Sequence, residues 1–69
     1  MVNINKRLGS KIRELRKKKN LTQEELAYKS ELDYSYMNQI ENGKRNPSIE
    51  AVERIARALG VKTKDLIPF

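Results

Sequence analysis

Residues 22–42 read TQEELAYKSELDYSYMNQIEN, and the fold turns on how that stretch divides. Thr22 is a good helix N-cap, and Glu25 three residues on completes a capping box. Leu26 and Ala27 then point inward from a short helix that ends near Lys29 or Ser30. Asp33 caps the next helix, which carries Tyr36, Met37 and Ile40 on its inward side. The Asn42-Gly43 pair is a strong breaker and stops it. The stretch is therefore two short helices separated by a tight turn.

Working outward, Ile4, Leu8, Ile12 and Leu15 recur at helical spacing and define one apolar face. A first helix is expected from about Asn5 to Lys19, with basic residues in its last turn suiting the helix dipole. Asn20 can take the left-handed conformation that ends it. On the other side, Lys44-Arg45-Asn46-Pro47 reads as a loop. Ser48, or Asn46 with Pro47 at the first helical position, opens a fourth helix. Its apolar stripe is Ile49, Val52, Ile55, Ala56 and Leu59, and its outer side pairs Glu50 with Arg54 and Glu53 with Arg57. Gly60 terminates it, and Lys62 to Ile67 leaves room for one short helix before Pro68. No run alternates as a strand would. The expectation is an all-α single domain over residues 1–69, a bundle of five short helices.

Composition narrows the chemistry. The 69 residues contain no cysteine and no histidine, which removes disulfides, thiolate metal sites, the commonest general base and the commonest transition-metal ligand. The acidic residues mostly neighbour Lys or Arg and form no catalytic or calcium-loop pattern, so no catalytic residue, cofactor or metal is expected. No apolar run reaches the ~18 residues of a membrane span, and no signal-peptide core follows Met1. The expectation is a cytoplasmic protein with no membrane partner. A net charge of +6 and a pI near 9.8 point to a polyanionic partner.

Against that charge, no Lys or Arg falls between Lys29 and Lys44. Tyr34, Ser35, Asn38 and Gln39 lie on one side of the third helix, opposite Met37 and Ile40. A merely solvated face in this chain would carry Lys or Glu, as the other helices do. Asn and Gln can instead bond adenine through its N6 and N7, while Tyr and Ser donate, accept or touch a thymine methyl.

Two helices joined by about three residues, the second polar outside and apolar inside, have the layout of a helix-turn-helix. The strings LTQEELA, IENGKRNPS and ERIARALGV carry this further. Over nearly the whole chain they resemble the Cro/repressor-type (XRE-like) helix-turn-helix family, a compact five-helix bundle of the lambda-repressor-like type. KSELDYSY and the KRN loop look most like the controller proteins of restriction–modification systems. The resemblance implies that the motif spans about residues 22–42, and that Tyr34, Ser35, Asn38 and Gln39 read bases. It implies phosphate contacts from Thr22, Gln23, Tyr36, Asn42, Lys44 and Arg45, and a largely buried structural ion pair between Arg16 and Glu41. One position departs from the pattern: Glu31 stands where the family often has Gly in the turn, so strain or a different turn is expected there.

The function implied is sequence-specific binding of double-stranded DNA by a transcriptional regulator, acting as a homodimer on an inverted repeat. Val61, Leu66, Ile67 and Phe69 are the expected dimer surface, the competing reading being that Val61 and Leu66 only close the core. Taken as a whole, the chain leaves no room for a ligand-sensing domain, and no small-molecule ligand is expected. Two rival readings stay open: an antitoxin-like helix-turn-helix module that binds a protein partner, and a nonspecific nucleic-acid binder.

Overall fold

The computed structural model describes residues 3–67 as five α-helices, with no strand among the described residues. They are α1 (Ile4–Lys18), α2 (Gln23–Lys29), α3 (Tyr34–Glu41), α4 (Ile49–Leu59) and α5 (Thr63–Leu66). Four starts are fixed by side-chain caps. The Asn3 side-chain Oδ1 accepts the Lys6 N–H at 3.0 Å, so α1 begins one residue earlier than expected, and it ends at Lys18, also one residue early. Thr22 and Glu25 form the reciprocal box, at 3.0 and 2.8 Å. The Asp33 carboxylate accepts the Ser35 N–H, and the Ser48 hydroxyl accepts the Ala51 N–H, which decides the α4 cap in favour of Ser48 over Asn46. The backbone N–H of Thr22, and then its hydroxyl, hold the Glu25 carboxyl below its ordinary pKa of 4.5. A depressed carboxylate pKa stabilises the fold above that value, and the contribution fades as pH falls through the lowered one.

The helix ends share one geometry. Asn20, Glu31, Gly43 and Gly60 all have positive φ, between 56° and 72°. After α2, the Glu31 N–H reaches the Tyr28 carbonyl and the Leu32 N–H reaches the Ala27 carbonyl, at 3.1 and 2.9 Å. This is a Schellman closure with glutamate at the position glycine usually takes. The departure noted in the sequence therefore changes the residue and not the conformation. Arg54 donates to the Glu31 carbonyl at 3.3 Å and helps hold it. Left-handed backbone costs a non-glycine residue about 1–2 kcal/mol, partly offset in a glycine by its extra unfolded-state freedom. Glu31→Gly is expected to raise stability by about 1 kcal/mol in urea denaturation; a lowered midpoint would show that the side chain itself supports the turn.

The core is one cluster, Leu8 and Ile12 from α1, Leu26 and Ala27 from α2, Met37 and Ile40 from α3, and Val52, Ile55, Ala56 and Leu59 from α4, closed by Leu66 of α5. Three apolar positions depart from expectation. Ile4 is half exposed and Ile49 is 87% exposed, although both fall on apolar faces by periodicity. They sit at the first turns of α1 and α4, beside an open groove with Leu8, Pro47, Val52 and Ile67, where no neighbouring helix covers them. Leu66 is the third. It is fully buried, so it closes the monomer and has no surface to offer a second subunit. Val61 packs partly buried against the same core, and Ile67 is half-buried. Phe69 lies outside the described residues.

Candidate nucleic-acid interface

α3 is held from behind by α1 and α2. Met37 and Ile40 are fully buried, and Tyr36 packs partly buried beside them. At 100° per residue, Tyr34, Ser35, Asn38 and Gln39 then occupy an outward arc of roughly 140°. Tyr34 is half exposed, Ser35 is exposed, and Asn38 and Gln39 are half-buried. The arc combines donors and acceptors with no formal charge.

Around it lie the residues expected to meet phosphate. The Tyr36 hydroxyl accepts the Ser48 N–H at 3.2 Å, and the Arg45 guanidinium stands over the Tyr36 ring, 5.3 Å from its centroid. The ring thereby ties the basic loop back to the first turn of α3, with a cation–π contact and one hydrogen bond. Lys44 and Arg45 are both exposed, as is Thr22, whose hydroxyl is committed as an acceptor in the capping box but keeps its own proton to donate.

Beneath the arc is a buried ion pair. The Glu41 side chain has no exposed surface, and Arg16 grips it with Nε at 2.8 Å and Nη2 at 3.1 Å. Arg16 is itself mostly buried, and its third arm donates to the Leu21 carbonyl at 2.8 Å. The carboxylate also accepts from Gln23 Nε2 at 3.1 Å. Gln23 thus does more than wait at the start of α2: its amide links Glu41 to Asn38, whose Nδ2 donates to Gln23 Oε1 at 3.0 Å.

Two residues escaped the sequence reading. Arg13 approaches Glu41 at 3.5 Å and donates to Asn42 at 2.9 Å. Its spacing of three from Arg16 was the available signal, since that places both guanidiniums on one face of α1. Gly9 is the other. It is buried in α1, where it faces the backbone carbonyls of Ile40 and Glu41. A lone glycine inside a helical pattern points to close packing, but says nothing of the partner.

Residues 12–66 match the helix-turn-helix family profile. The chain is 44% identical over 68 residues to the control protein C.BamHI of Bacillus amyloliquefaciens, spanning 97% of this chain and 84% of that protein. It is 43% identical over 67 residues to the control protein C.MunI of a Mycoplasma species, spanning 96% and 90%. Among solved structures, the restriction-modification controller protein C.AhdI from Aeromonas hydrophila superposes with a TM-score of 0.88 and 40% identity, covering 90% of this chain and 94% of that one.

Proposed function

The chain belongs to the helix-turn-helix family, and from that premise we propose that it reads an inverted-repeat operator as a homodimer, as a controller protein of a restriction–modification system. DNA-binding transcriptional regulation is the function shared with its relatives. The single observation that carries the finer reading is the exposed, uncharged arc of α3 beside the basic loop at Lys44 and Arg45. Affinity comes from charge at the margins, and discrimination from the arc.

In this reading α3 enters the major groove, and Tyr34, Ser35, Asn38 and Gln39 meet base edges. Thr22, Gln23, Tyr36, Asn42, Lys44 and Arg45 meet phosphates on either side and set the depth of α3. The second subunit covers the open groove lined by Ile4, Ile49 and Ile67. Exposed isoleucines at 50% and 87% on a chain this basic support that assignment. No described helix is long and apolar enough to cross a membrane.

The test is selection from a random duplex library at about physiological salt. An enriched inverted repeat is expected, with half-sites about 34 Å apart and specific binding roughly 10³-fold or more above nonspecific. A flat library with a steep salt dependence would make the protein a nonspecific binder and overturn the proposal. So would a library with no DNA bound at all, the result of a protein-binding module.

A further inference from the structure

Five side chains close a ring around the edge of the α3 arc. Arg13 Nη2 donates to Asn42 Oδ1 at 2.9 Å, and Asn42 Nδ2 donates to Asn38 Oδ1 at 3.2 Å. Asn38 Nδ2 donates to Gln23 Oε1 at 3.0 Å, and Gln23 Nε2 donates to Glu41 Oε1 at 3.1 Å. Arg13 Nε returns to the same Glu41 oxygen at 3.5 Å. The four links through the amides all run from Arg13 toward Glu41, and Arg13 is also the donor in the closing link.

That direction is dictated by the ends. A guanidinium has no lone pair to offer, and a carboxylate has no proton to give. Three amides lie between them, and only one orientation of each satisfies every link. Turning any one amide over sets N–H against N–H or oxygen against oxygen at both of its neighbours. Resting on the reading of α3 as the base-reading helix, we propose that Arg13 and Glu41 are specificity-determining positioning residues. They fix which corner of the Asn38 amide is donor and which is acceptor, and so restrict Asn38 to adenine.

The chemistry follows from the inventory of one amide. The ring uses one Nδ2 proton and one Oδ1 lone pair of Asn38, leaving one of each for DNA. A donor beside an acceptor complements adenine N7 and N6–H. Guanine presents O6 where adenine presents N6–H, so the locked Oδ1 meets another acceptor. An unlocked amide turns over and offers guanine O6, or thymine O4, its N–H instead. A competing base is therefore accommodated only by breaking hydrogen bonds of the ring, although Arg13 and Glu41 never touch a base.

The experiment first uses wild type and Asn38→Ala in library selection, which locates the base pair whose preference Asn38 sets. A good bidentate contact discriminates by roughly 5- to 150-fold. Arg13→Met is then measured by competition between operators carrying adenine or guanine there. Arg13 is well exposed, so its loss leaves the buried pair of Arg16 and Glu41 in place. The adenine preference is expected to fall about tenfold at that position alone, roughly the worth of one hydrogen bond to the ring. Asn42→Asp accepts from Arg13 but cannot donate to Asn38, and should give the same local loss on top of weaker overall binding. An unchanged adenine-to-guanine ratio in both variants overturns the inference, as does a loss spread evenly over all sequences. A flat wild-type library, in contrast, overturns the operator reading beneath it before either variant is made.

Discussion

Replacing Glu41 with alanine is expected to lower the unfolding free energy by about 3–5 kcal/mol, the cost of stranding a buried charge. Arg16 would keep only the Leu21 carbonyl, with its side chain 12% exposed and its two charge-assisted bonds to the carboxylate lost. Gln23 would lose the acceptor for its Nε2, and Arg13 one of its two partners. A 69-residue domain has a total stability on the order of 3–10 kcal/mol, so the variant loses a large share of it. Urea denaturation followed by helical circular dichroism is the measurement. The double change Arg16→Met with Glu41→Met should recover much of the loss, since a buried pair adds little over apolar residues of similar volume. An unchanged midpoint in Glu41→Ala would mean that Arg16 swings out to solvent.

Gly9→Ala is expected to cost about 2–3 kcal/mol, although alanine is the better helix former by about 1 kcal/mol. A Cβ at Gly9 would lie 2.4 Å from the Ile40 carbonyl oxygen and 2.6 Å from that of Glu41. Both obstacles are backbone, so no rotamer change relieves them, and α1 and α3 must move apart. The same movement draws Arg13 and Arg16 away from Glu41 and shifts the arc of α3. Specific DNA binding should therefore fall further than the change in stability alone predicts. Thermal unfolding together with operator binding below the transition checks both parts. A midpoint equal to that of the parent protein would show that α1 slides freely over α3.

What could be read from the sequence was mostly what is local. Thr22 with Glu25, Asp33, Ser48 and Gly60 mark helix ends by bonds made within one turn, so they are visible without knowing the fold. Periodicity identified α1, α3 and α4 for the same reason. It failed at Ile4 and Ile49, because a helical face is defined by spacing whereas its burial depends on how far a neighbour reaches. Leu66 and Ile67 are adjacent and equally apolar, and only packing makes one of them core. The uncharged arc of α3 was legible because it departs from the Lys- and Glu-rich surface around it. The ring from Arg13 to Glu41 was not, since its amides meet across 15 residues of chain between Gln23 and Asn38. Gly9 was hidden similarly: the glycine is in the sequence, but the carbonyls it faces lie about 30 residues away, a separation no pattern rule connects.

Four helices begin on a cap drawn from their own residues, and four ends turn out of the helix through the same left-handed closure. Start and stop are thus written into each segment before any segment meets another. The consequence is one of time. A chain whose elements are locally delimited, and whose connections are short, closes few long loops on its way to the native state, and such bundles fold in microseconds to milliseconds. Synthesis of the same chain, at about 5–20 residues per second, takes several seconds. The folded chain is therefore ready as soon as it leaves the ribosome, and folding adds no delay of its own.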